Sequence, residues 1–237
     1  MIKALKRYEI FQKEPLLSCE LLEQQGHANR VYLLQTKRKK YLLRHFQIDI
    51  DRKREFNIQA KLYRKKIAPK PILLDLNNGV MVSEFIEGTH KIKLNQQELK
   101  KMAQLLKKVH RIKTNQKRNS FKENFSFNNK RVKRAFILLD REKKEYALGH
   151  NDLHPKNIIF TKRAIKLIDW EYARYSDIYF DLVSIIEEHR LNQRDSRSFL
   201  KSYFERKKIN KKKIEAFTII YRERWKIWFE KRKRGEL

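Results

Sequence analysis

The sequence predicts an α+β fold in which an antiparallel sheet with one helix precedes a mainly helical half. Short apolar runs separated by turn residues indicate strands at 17–25, 29–35 and 41–46. Two further apolar runs, ILLD and VMVSEF, flank an Asn78-Gly79 pair, which is typical of a tight β-hairpin. The first half is therefore expected to form a sheet of about five strands.

Helical periodicity supplies the remaining elements. Residues 51–66 carry apolar side chains at helical spacing and predict the single helix packed on the sheet. Residues 95–112 repeat that spacing more strongly, a polar segment follows at 113–130, and another helix is expected at about 130–145. The change from strands to helices divides the chain into two predicted domains, 1–87 and 88–237.

The chain is strongly basic, with 58 Lys and Arg against 28 Asp and Glu and a formal net charge of +30. Such a charge attracts nucleic acid and anionic lipid. The basic residues are spread over nearly every segment, and hydrophobic residues still make up 41% of the chain, which is enough for a folded core. This distribution favours a solvated basic surface, with nucleic-acid binding kept as an alternative.

Location and redox state follow from what the sequence contains. No apolar run approaches the roughly 18 residues that cross a bilayer, and the N-terminal stretch has no continuous apolar segment of the signal-peptide type. Cys19 is the only cysteine, so an internal disulfide is excluded and the residue is expected to fill apolar space. These features favour the cytoplasm. They leave the oligomeric state open.

Four acidic or amide side chains stand beside short apolar runs in the second half. GHNDLHPKNIIF carries Asp152 and Asn157, and IKLIDWE carries Asp169 and Glu171. The apolar parts of both stretches are predicted as short strands joined by the turn TKRA. Any one of these residues alone would be read as a turn former or a cap. Together they predict that three oxygen side chains, from Asp152, Asn157 and Asp169, point into one cleft.

Phosphoryl transfer requires such an arrangement. The protein mainly positions the reacting groups, holds Mg²⁺ against the phosphate charge and offers a carboxylate to the attacking hydroxyl. Mg²⁺ prefers carboxylate and amide oxygens, which Asn157 and Asp169 could supply. Asp152 would then accept the proton of the hydroxyl group.

These residues resemble a motif of the aminoglycoside phosphotransferase and choline kinase superfamily, whose fold is like that of protein kinases. The motif is a His, a small or polar residue and an Asp, then an Asn after four residues, a strand pair and Asp-x-Glu. The matching positions are His150, Asn151, Asp152, Asn157, Asp169, Trp170 and Glu171. Asp181 matches a further structural Asp at the start of the following helix, and His150 is likewise expected to be structural.

The resemblance implies a bilobal protein kinase-like fold and an ATP-dependent kinase that uses Mg²⁺. Residues 1–87 would form the ATP-binding lobe, and residues 88–237 the catalytic and acceptor-binding lobe. Gly26 and Asn29 resemble the hairpin that covers the ATP phosphates, although the G-x-G-x-x-G of protein kinases is missing.

The same resemblance assigns three more nucleotide contacts. Arg44 stands where protein kinases use a Lys, and its guanidinium can bind phosphate oxygens in a fork. Glu55 matches the acidic partner of that cation, with an exposed helix Glu as the alternative. SEFIEG resembles the hinge between lobes, where backbone groups of Glu84, Phe85 and Ile86 would bind adenine.

The acceptor is expected to be cationic. Residues 145–188 contain eight acidic and five basic residues, so this stretch has a local charge of −3 in an otherwise basic chain. Trp225 and Trp228 lie on an aromatic stripe with helical spacing, which is more often core but can bind a cation through its π faces. Glu171 is the third candidate for acceptor binding.

Within the superfamily the sequence most resembles bacterial thiamine kinase, which implies that thiamine is the acceptor. Choline or ethanolamine kinase is the alternative, because the HND motif, Asn157 and DWEYA are shared with choline kinases. Aminoglycoside O-phosphotransferase is the next. A different class of function is an inactive kinase-like protein that binds nucleic acid through its basic surface.

Overall fold

The computed structural model describes residues 5–23, 28–113, 125 and 129–236. The chain divides into two compact units. The first unit comprises Met1–Gly88 and Lys166–Glu171, and the second comprises Thr89–Ile165 and Tyr172–Leu237. The segment Lys166–Glu171 thus belongs to the first unit, although the sequence analysis placed it with the second half.

The described part of the first unit is an antiparallel five-stranded sheet with two helices. Its strand order is β1-β2-β3-β5-β4, and every neighbouring pair is antiparallel. The elements are α1 Glu9–Lys13, β1 Leu16–Leu21, β2 Asn29–Thr36, β3 Lys40–Phe46, α2 Arg52–Arg64, β4 Pro71–Asp75 and β5 Val80–Glu84. The predicted strands, the longer helix and the Asn-Gly hairpin are confirmed, although β1 ends at Leu21 and not at the predicted residue 25. The short helix α1 was not predicted.

One apolar cluster holds this unit together. Phe11 of α1 packs edge to face on Tyr41 of β3, with 5.7 Å between ring centroids. Leu34, Leu43 and Val82, from three neighbouring strands, are completely buried in the same cluster. Because side chains of a strand alternate between faces, this cluster fixes which face of the sheet carries the core.

The second unit is mainly helical. Its elements are α3 Gln96–His110, α4 Lys130–Arg141, β6 Tyr146–Gly149, a 3₁₀ turn Pro155–Asn157, β7 Ile158–Phe160, β9 Arg174–Asp177, α5 Ile178–Glu188, α6 Gln193–Phe204 and α7 Lys211–Lys233. Strand β8, Ile165–Leu167, lies where the chain passes from the second unit to the first. The predicted helices at 95–112 and 130–145 are confirmed, the latter ending earlier. Strands β6 and β9, which pair with each other, were not predicted.

Local sequence signals explain where α3 begins and which of its faces is buried. Asn95 and Glu98 form a reciprocal capping box at the start of α3. The apolar face of α3, ending at Val109, is fully buried, and α3 packs on α6 while α7 packs on α4 and α5. Among the described residues, no helix is both long enough and apolar enough to cross a membrane.

The sheet core generates a stability prediction. Leu43→Ala should lower the free energy of unfolding by about 2–5 kcal/mol, because Leu43 is fully buried between β2 and β5. Leu17→Ala is the matched control, since Leu17 is 66% exposed on the edge strand β1 and its loss should cost less than about 0.5 kcal/mol. Urea denaturation measures both, and equal losses would contradict the assigned core.

Candidate active site

The loop that carries Asp152 begins at a glycine that the packing requires. Gly149 ends β6, and a Cβ at this position would lie 2.4 Å from the Oγ of Ser176 on the paired strand β9. A real Cβ essentially never lies this close to a non-bonded atom, so any larger residue would displace the Ser176 side chain or the strand. Gly149 thereby lets the chain leave the sheet close to β9.

Asp181 of α5 holds the next two residues. Its carboxylate accepts hydrogen bonds from the backbone N–H groups of His150 and Asn151, each at 2.8 Å. A third donor is the Nε2 of His110, the last residue of α3, at 3.1 Å. Asn151 has a left-handed backbone with φ of 63°, a conformation that is uncommon for a residue with a side chain.

The protonation state of Asp181 follows from these contacts. Burial raises the pKa of Asp181, but the hydrogen bond and charge of His110, together with the backbone N–H of Asn151, outweigh burial and hold the pKa below its usual value. The other nitrogen of His110 lies 2.7 Å from the hydroxyl of Tyr203 on α6. Burial raises the pKa of Tyr203, so its hydroxyl stays protonated at neutral pH. Helices α3, α5 and α6 thus meet at one carboxylate.

Asp152 and Asn157 are brought together in the second unit. The side-chain Nδ2 of Asn157 donates to the backbone oxygen of Asp152 at 2.9 Å and to its carboxylate at 2.8 Å. Both side chains are partly exposed. Because the amide nitrogen faces Asp152, the oxygen of the same amide is the atom of Asn157 that could bind a cation.

Asp169 lies in the first unit and is bound to Arg44. The guanidinium of Arg44 donates to Asp169 at 2.8 Å and to Glu55 of α2 at 2.5 Å, so the predicted pair of Arg44 and Glu55 is present in the structure. Burial opposes the charge of Arg44, but the two carboxylates outweigh it and raise the pKa of Arg44 above its ordinary value. Asp169 also has a left-handed backbone, with φ of 62°.

Arg52 completes this network, and the sequence analysis missed it. Its buried guanidinium donates to Glu55 at 3.0 Å and to Glu171 at 2.9 Å, and it lies 4.4 Å from the ring centroid of Phe46. Asn29 also donates to Glu171, at 3.3 Å. The available signal was the spacing of Arg52 and Glu55, which fall on one face of the predicted helix.

Glu171 therefore has a position that its predicted role did not anticipate. It is 5% exposed, and its carboxylate is bound by Arg52 and Asn29 inside the first unit. Burial raises the pKa of Glu171 against the opposing effect of Arg52. These contacts are structural, and acceptor binding by Glu171 stays a prediction without a supporting contact.

The predicted adenine-binding segment follows β5. The N–H of Glu84 donates to the carbonyl of Lys70 at 2.8 Å, and the N–H of Phe85 donates to the carbonyl of Lys40 at 3.3 Å. Both donors are thus used within the first unit. The backbone groups that remain as candidates for binding adenine are the N–H of Ile86 and the carbonyl groups of the segment.

Gly26, which was predicted to lie over the ATP phosphates, is outside the described residues.

The aromatic stripe divides into a core half and a partly exposed half. Phe217 and Tyr221 of α7 are buried, which agrees with the core interpretation. Trp225 and Trp228 are partly exposed, with ring centroids 5.5 Å apart. The ring of Trp225 also lies 6.3 Å from that of His154, two residues after Asp152. The exposed end of the stripe is therefore close to the loop that carries Asp152.

The local acidic balance overstates the charge available to an acceptor. Glu145 and Asp177 both bind the buried Lys213, at 3.3 and 2.8 Å. Asp181 is bound within the helices, and Glu187 pairs with Arg222 at 2.6 Å. Lys213 lies outside residues 145–188, over which the charges were counted, so the negative charge inferred for this stretch was too large.

Glu188 is the acidic side chain that remains beside the aromatic residues. It accepts a hydrogen bond from Tyr221 at 2.6 Å and lies 3.5 Å from His154. Within the described part of the chain, no group of three or more His, Cys, Asp and Glu side chains is clustered as a metal site. An amide oxygen and carboxylates are nevertheless the donors that suit a hard cation.

Comparison with known proteins identifies the class. The model of a phosphotransferase enzyme family, APH, matches residues 22–135 and 129–217, which is most of the chain. The chain therefore belongs to this phosphotransferase family.

Curated relatives give two kinds of match. The LicA homolog of Mycoplasma capricolum is 26% identical over 146 residues, covering 56% of this chain and 61% of that protein. LicA of Haemophilus influenzae is 27% identical over 179 residues, covering 65% and 66%. This chain thus spans less than two thirds of either relative. A thiamine kinase of Salmonella heidelberg is 37% identical over only 60 residues, 25% of this chain and 21% of that protein.

Solved structures establish the fold. The crystal structure of the choline kinase LicA from Streptococcus pneumoniae has a TM-score of 0.81 at 24% identity, covering 98% of this chain and 91% of that one. A structure of LicA in complex with AMP has a TM-score of 0.76 at 25% identity, covering 100% and 92%. The predicted kinase-like α+β fold is confirmed.

The Asp181 contacts generate a prediction of pH-dependent stability. Asp181→Asn should lower the unfolding free energy at pH 7 by about 3 kcal/mol or more, because an amide cannot accept from all three donors. A lowered carboxyl pKa stabilises the folded state above the unfolded value of about 3.9 and loses that effect as pH falls through the folded value. The difference between wild type and variant should therefore shrink in acid.

Urea denaturation between neutral and acidic pH checks this result. Asp140→Asn is the control, since Asp140 is exposed and its ion pair with Lys144 is 3.7 Å long on the surface. A loss for Asp181→Asn that stayed constant down to acidic pH would show that the ionised carboxylate is not the stabilising group.

Proposed function

We propose that this protein is an ATP-dependent kinase that phosphorylates the hydroxyl group of a small cationic alcohol, with choline as the first candidate. The observation that carries the proposal is the arrangement in the second unit. Asp152 is oriented by Asn157, in a loop fixed by Asp181, and partly exposed aromatic residues lie beside that loop. Family membership supports phosphoryl transfer as the reaction.

The proposed chemistry assigns the proton to Asp152. The Asp152 carboxylate accepts the proton of the acceptor hydroxyl while the hydroxyl oxygen forms a bond to the γ-phosphorus of ATP. The bond between that phosphorus and the oxygen that bridges to the β-phosphate breaks, and ADP is released. Asn157 holds the Asp152 carboxylate in a defined orientation through the 2.8 Å hydrogen bond. This fixed orientation favours proton transfer because less conformational entropy is lost when the carboxylate and the hydroxyl come together.

The proposal includes two contributors to phosphate binding. Arg44, held by Glu55 and Asp169, would contact phosphate oxygens through the guanidinium N–H groups that these two carboxylates do not use. Asn157 and Asp169 are the proposed Mg²⁺ ligands, and the bound ion would offset negative charge on the phosphates. The LicA structure solved with AMP supports a nucleotide as the donor.

A cationic acceptor is supported by the exposed end of α7. Trp225 and Trp228 are partly exposed, Phe229 is 52% exposed beside them, and Glu188 supplies a carboxylate bound to Tyr221. The ring of Trp228 already has a cation beside it, since the guanidinium of Arg232 lies 5.3 Å from the ring centroid. Aromatic faces together with a carboxylate attract a quaternary ammonium group, which cannot donate a hydrogen bond. This combination matches choline, which carries a quaternary ammonium group and a hydroxyl in one small molecule.

Thiamine is the second candidate acceptor. It shares a fixed positive charge and a primary hydroxyl with choline, and the Salmonella heidelberg thiamine kinase is 37% identical over its short matched region. The LicA relatives match more than twice as many residues. Choline therefore takes the place that the sequence analysis gave to thiamine.

The catalytic role of Asp152 is tested by ADP release with choline, thiamine and an aminoglycoside compared side by side. Choline should stimulate Mg²⁺-dependent release most, and Asp152→Asn should reduce the stimulated rate by about 10²- to 10⁴-fold because the general base is lost. Asp140→Asn, a surface change of the same type, should retain the rate. An Asp152→Asn enzyme with an undiminished rate would remove Asp152 as the base.

The aromatic contribution is tested by acceptor KM. Trp225→Ala and Trp228→Ala should each raise the KM for choline by about 5- to 30-fold, the equivalent of ~1–2 kcal/mol of cation–π binding, with the KM for ATP unchanged. The neutral analogue of choline, with carbon in place of nitrogen, serves as the matched ligand. If both variants weakened the analogue as much as choline, the rings would act only as apolar surface.

A further inference from the structure

Arg224 of α7 contacts the loop that carries Asp152. Its guanidinium donates to the backbone carbonyl of Asn151 at 2.9 Å. The same group lies 5.4 Å from the ring centroid of Phe180 and 5.8 Å from that of Tyr172. Among the residues that the structure describes, no carboxylate lies within ion-pair distance of Arg224, so its charged group is directed at a carbonyl and two rings.

Asn151, the residue it contacts, uses every polar group that it has. Its N–H donates to Asp181, and its carbonyl accepts from Arg224. The side-chain oxygen accepts from Ser176 at 2.8 Å, and the side-chain nitrogen donates to the carbonyls of Gly149 and Tyr172 at 3.3 and 3.2 Å. The residue is 3% exposed.

This saturation stabilises a backbone conformation that the residue would not adopt alone. The left-handed φ of 63° is unfavourable for a residue with a Cβ. Hydrogen bonds to both ends and to the side chain offset that cost. Asn is also among the residues that tolerate this conformation best, which gives a physical reason for Asn151 rather than a larger side chain.

The contact reaches Asp152 through a rigid group. The carbonyl of Asn151 and the N–H of Asp152 belong to one planar peptide unit. Holding that carbonyl therefore fixes the plane from which the backbone of Asp152 starts. Rotation of this plane would move the Asp152 carboxylate away from the hydrogen bond with Asn157.

We propose that Arg224 is a positioning residue, which fixes the Asp152 carboxylate through the Asn151 carbonyl and joins the aromatic end of α7 to the loop of the catalytic base. Arg224 immediately precedes Trp225 on the helix, so a shift of Trp225 is transmitted to the peptide unit between Asn151 and Asp152. The inference rests on the proposed function in taking Asp152 as the base. It adds a role for Arg224 that acts through the backbone of Asn151.

The test begins with Arg224→Met, which keeps the apolar stem of the side chain and removes the donors. The expected result is a kcat for choline phosphorylation lowered about 10- to 100-fold with the KM for choline and ATP little changed, because misplacing a catalytic group by about 1 Å has this effect. Arg224→Lys retains one donor and should recover part of the rate. Arg222→Met, two residues away in a surface ion pair with Glu187, should leave kcat unchanged.

A double-mutant cycle separates positioning from general support of the fold. If Arg224 acts through Asp152, adding Arg224→Met to Asp152→Asn should lower the residual rate less than about 2-fold. An undiminished 10- to 100-fold loss in that background would overturn the proposal. So would an Arg224→Met enzyme with wild-type kcat.

Two further results keep the inference distinct from the function on which it rests. An unaltered rate for Asp152→Asn alone would refute the assigned base, whereas a large loss there with wild-type kcat for Arg224→Met would refute only the positioning role. If Arg224→Met does not fold by thermal melting, Ser176→Ala is used in the same cycle. Ser176→Ala removes the hydrogen bond to the side-chain oxygen of Asn151. Its kcat should fall about 3- to 10-fold in the wild-type background and less than about 2-fold in the Asp152→Asn background. Additive losses would overturn the proposal.

Discussion

One buried carboxylate, that of Asp181, fixes the loop on which the second unit depends. It accepts two backbone N–H groups from the loop and one imidazole N–H from α3. Three donors at a buried site hold the carboxylate ionised despite the cost of burial. The left-handed turn at Asn151, the orientation of Asp152 and its hydrogen bond with Asn157 all follow from this anchor.

The first unit follows a similar principle with charged side chains. Arg44 and Arg52 share Glu55, and through Asp169 and Glu171 they bind the segment that enters this unit after β8. Removing one member of a buried charge network leaves the others without compensation, which is why such networks hold geometry firmly. Asp169 and Glu171, which the motif singled out together, are thus both held by arginines of the sheet and helix α2.

The sequence predicted those features that depend on short-range patterns. Alternation and helical spacing identified the five strands, α2, α3 and α4. Motif spacing singled out Asp152, Asn157 and Asp169; the structure shows Asp152 and Asn157 in contact, and the roles of all three residues stay predictions. The role of Lys213 could not be predicted, because it lies 68 residues from Glu145 and a buried Lys is uncommon. Tyr203 and Arg224 were missed for the same reason, since their partners are brought near by tertiary packing and not by spacing along the chain. Arg52 was missed although its spacing from Glu55 is that of one helix face, because its second partner, Glu171, lies 119 residues away.

The central claim is the transfer of a phosphoryl group to a cationic alcohol, and phosphorus NMR tests it most directly. The protein is mixed with ATP, Mg²⁺ and equal amounts of choline and thiamine, and the phosphorus signals are followed over time. The account predicts that a phosphomonoester of choline and ADP appear in equal amounts, with little thiamine ester. Inorganic phosphate as the sole new product besides ADP, or unchanged ATP, would contradict it.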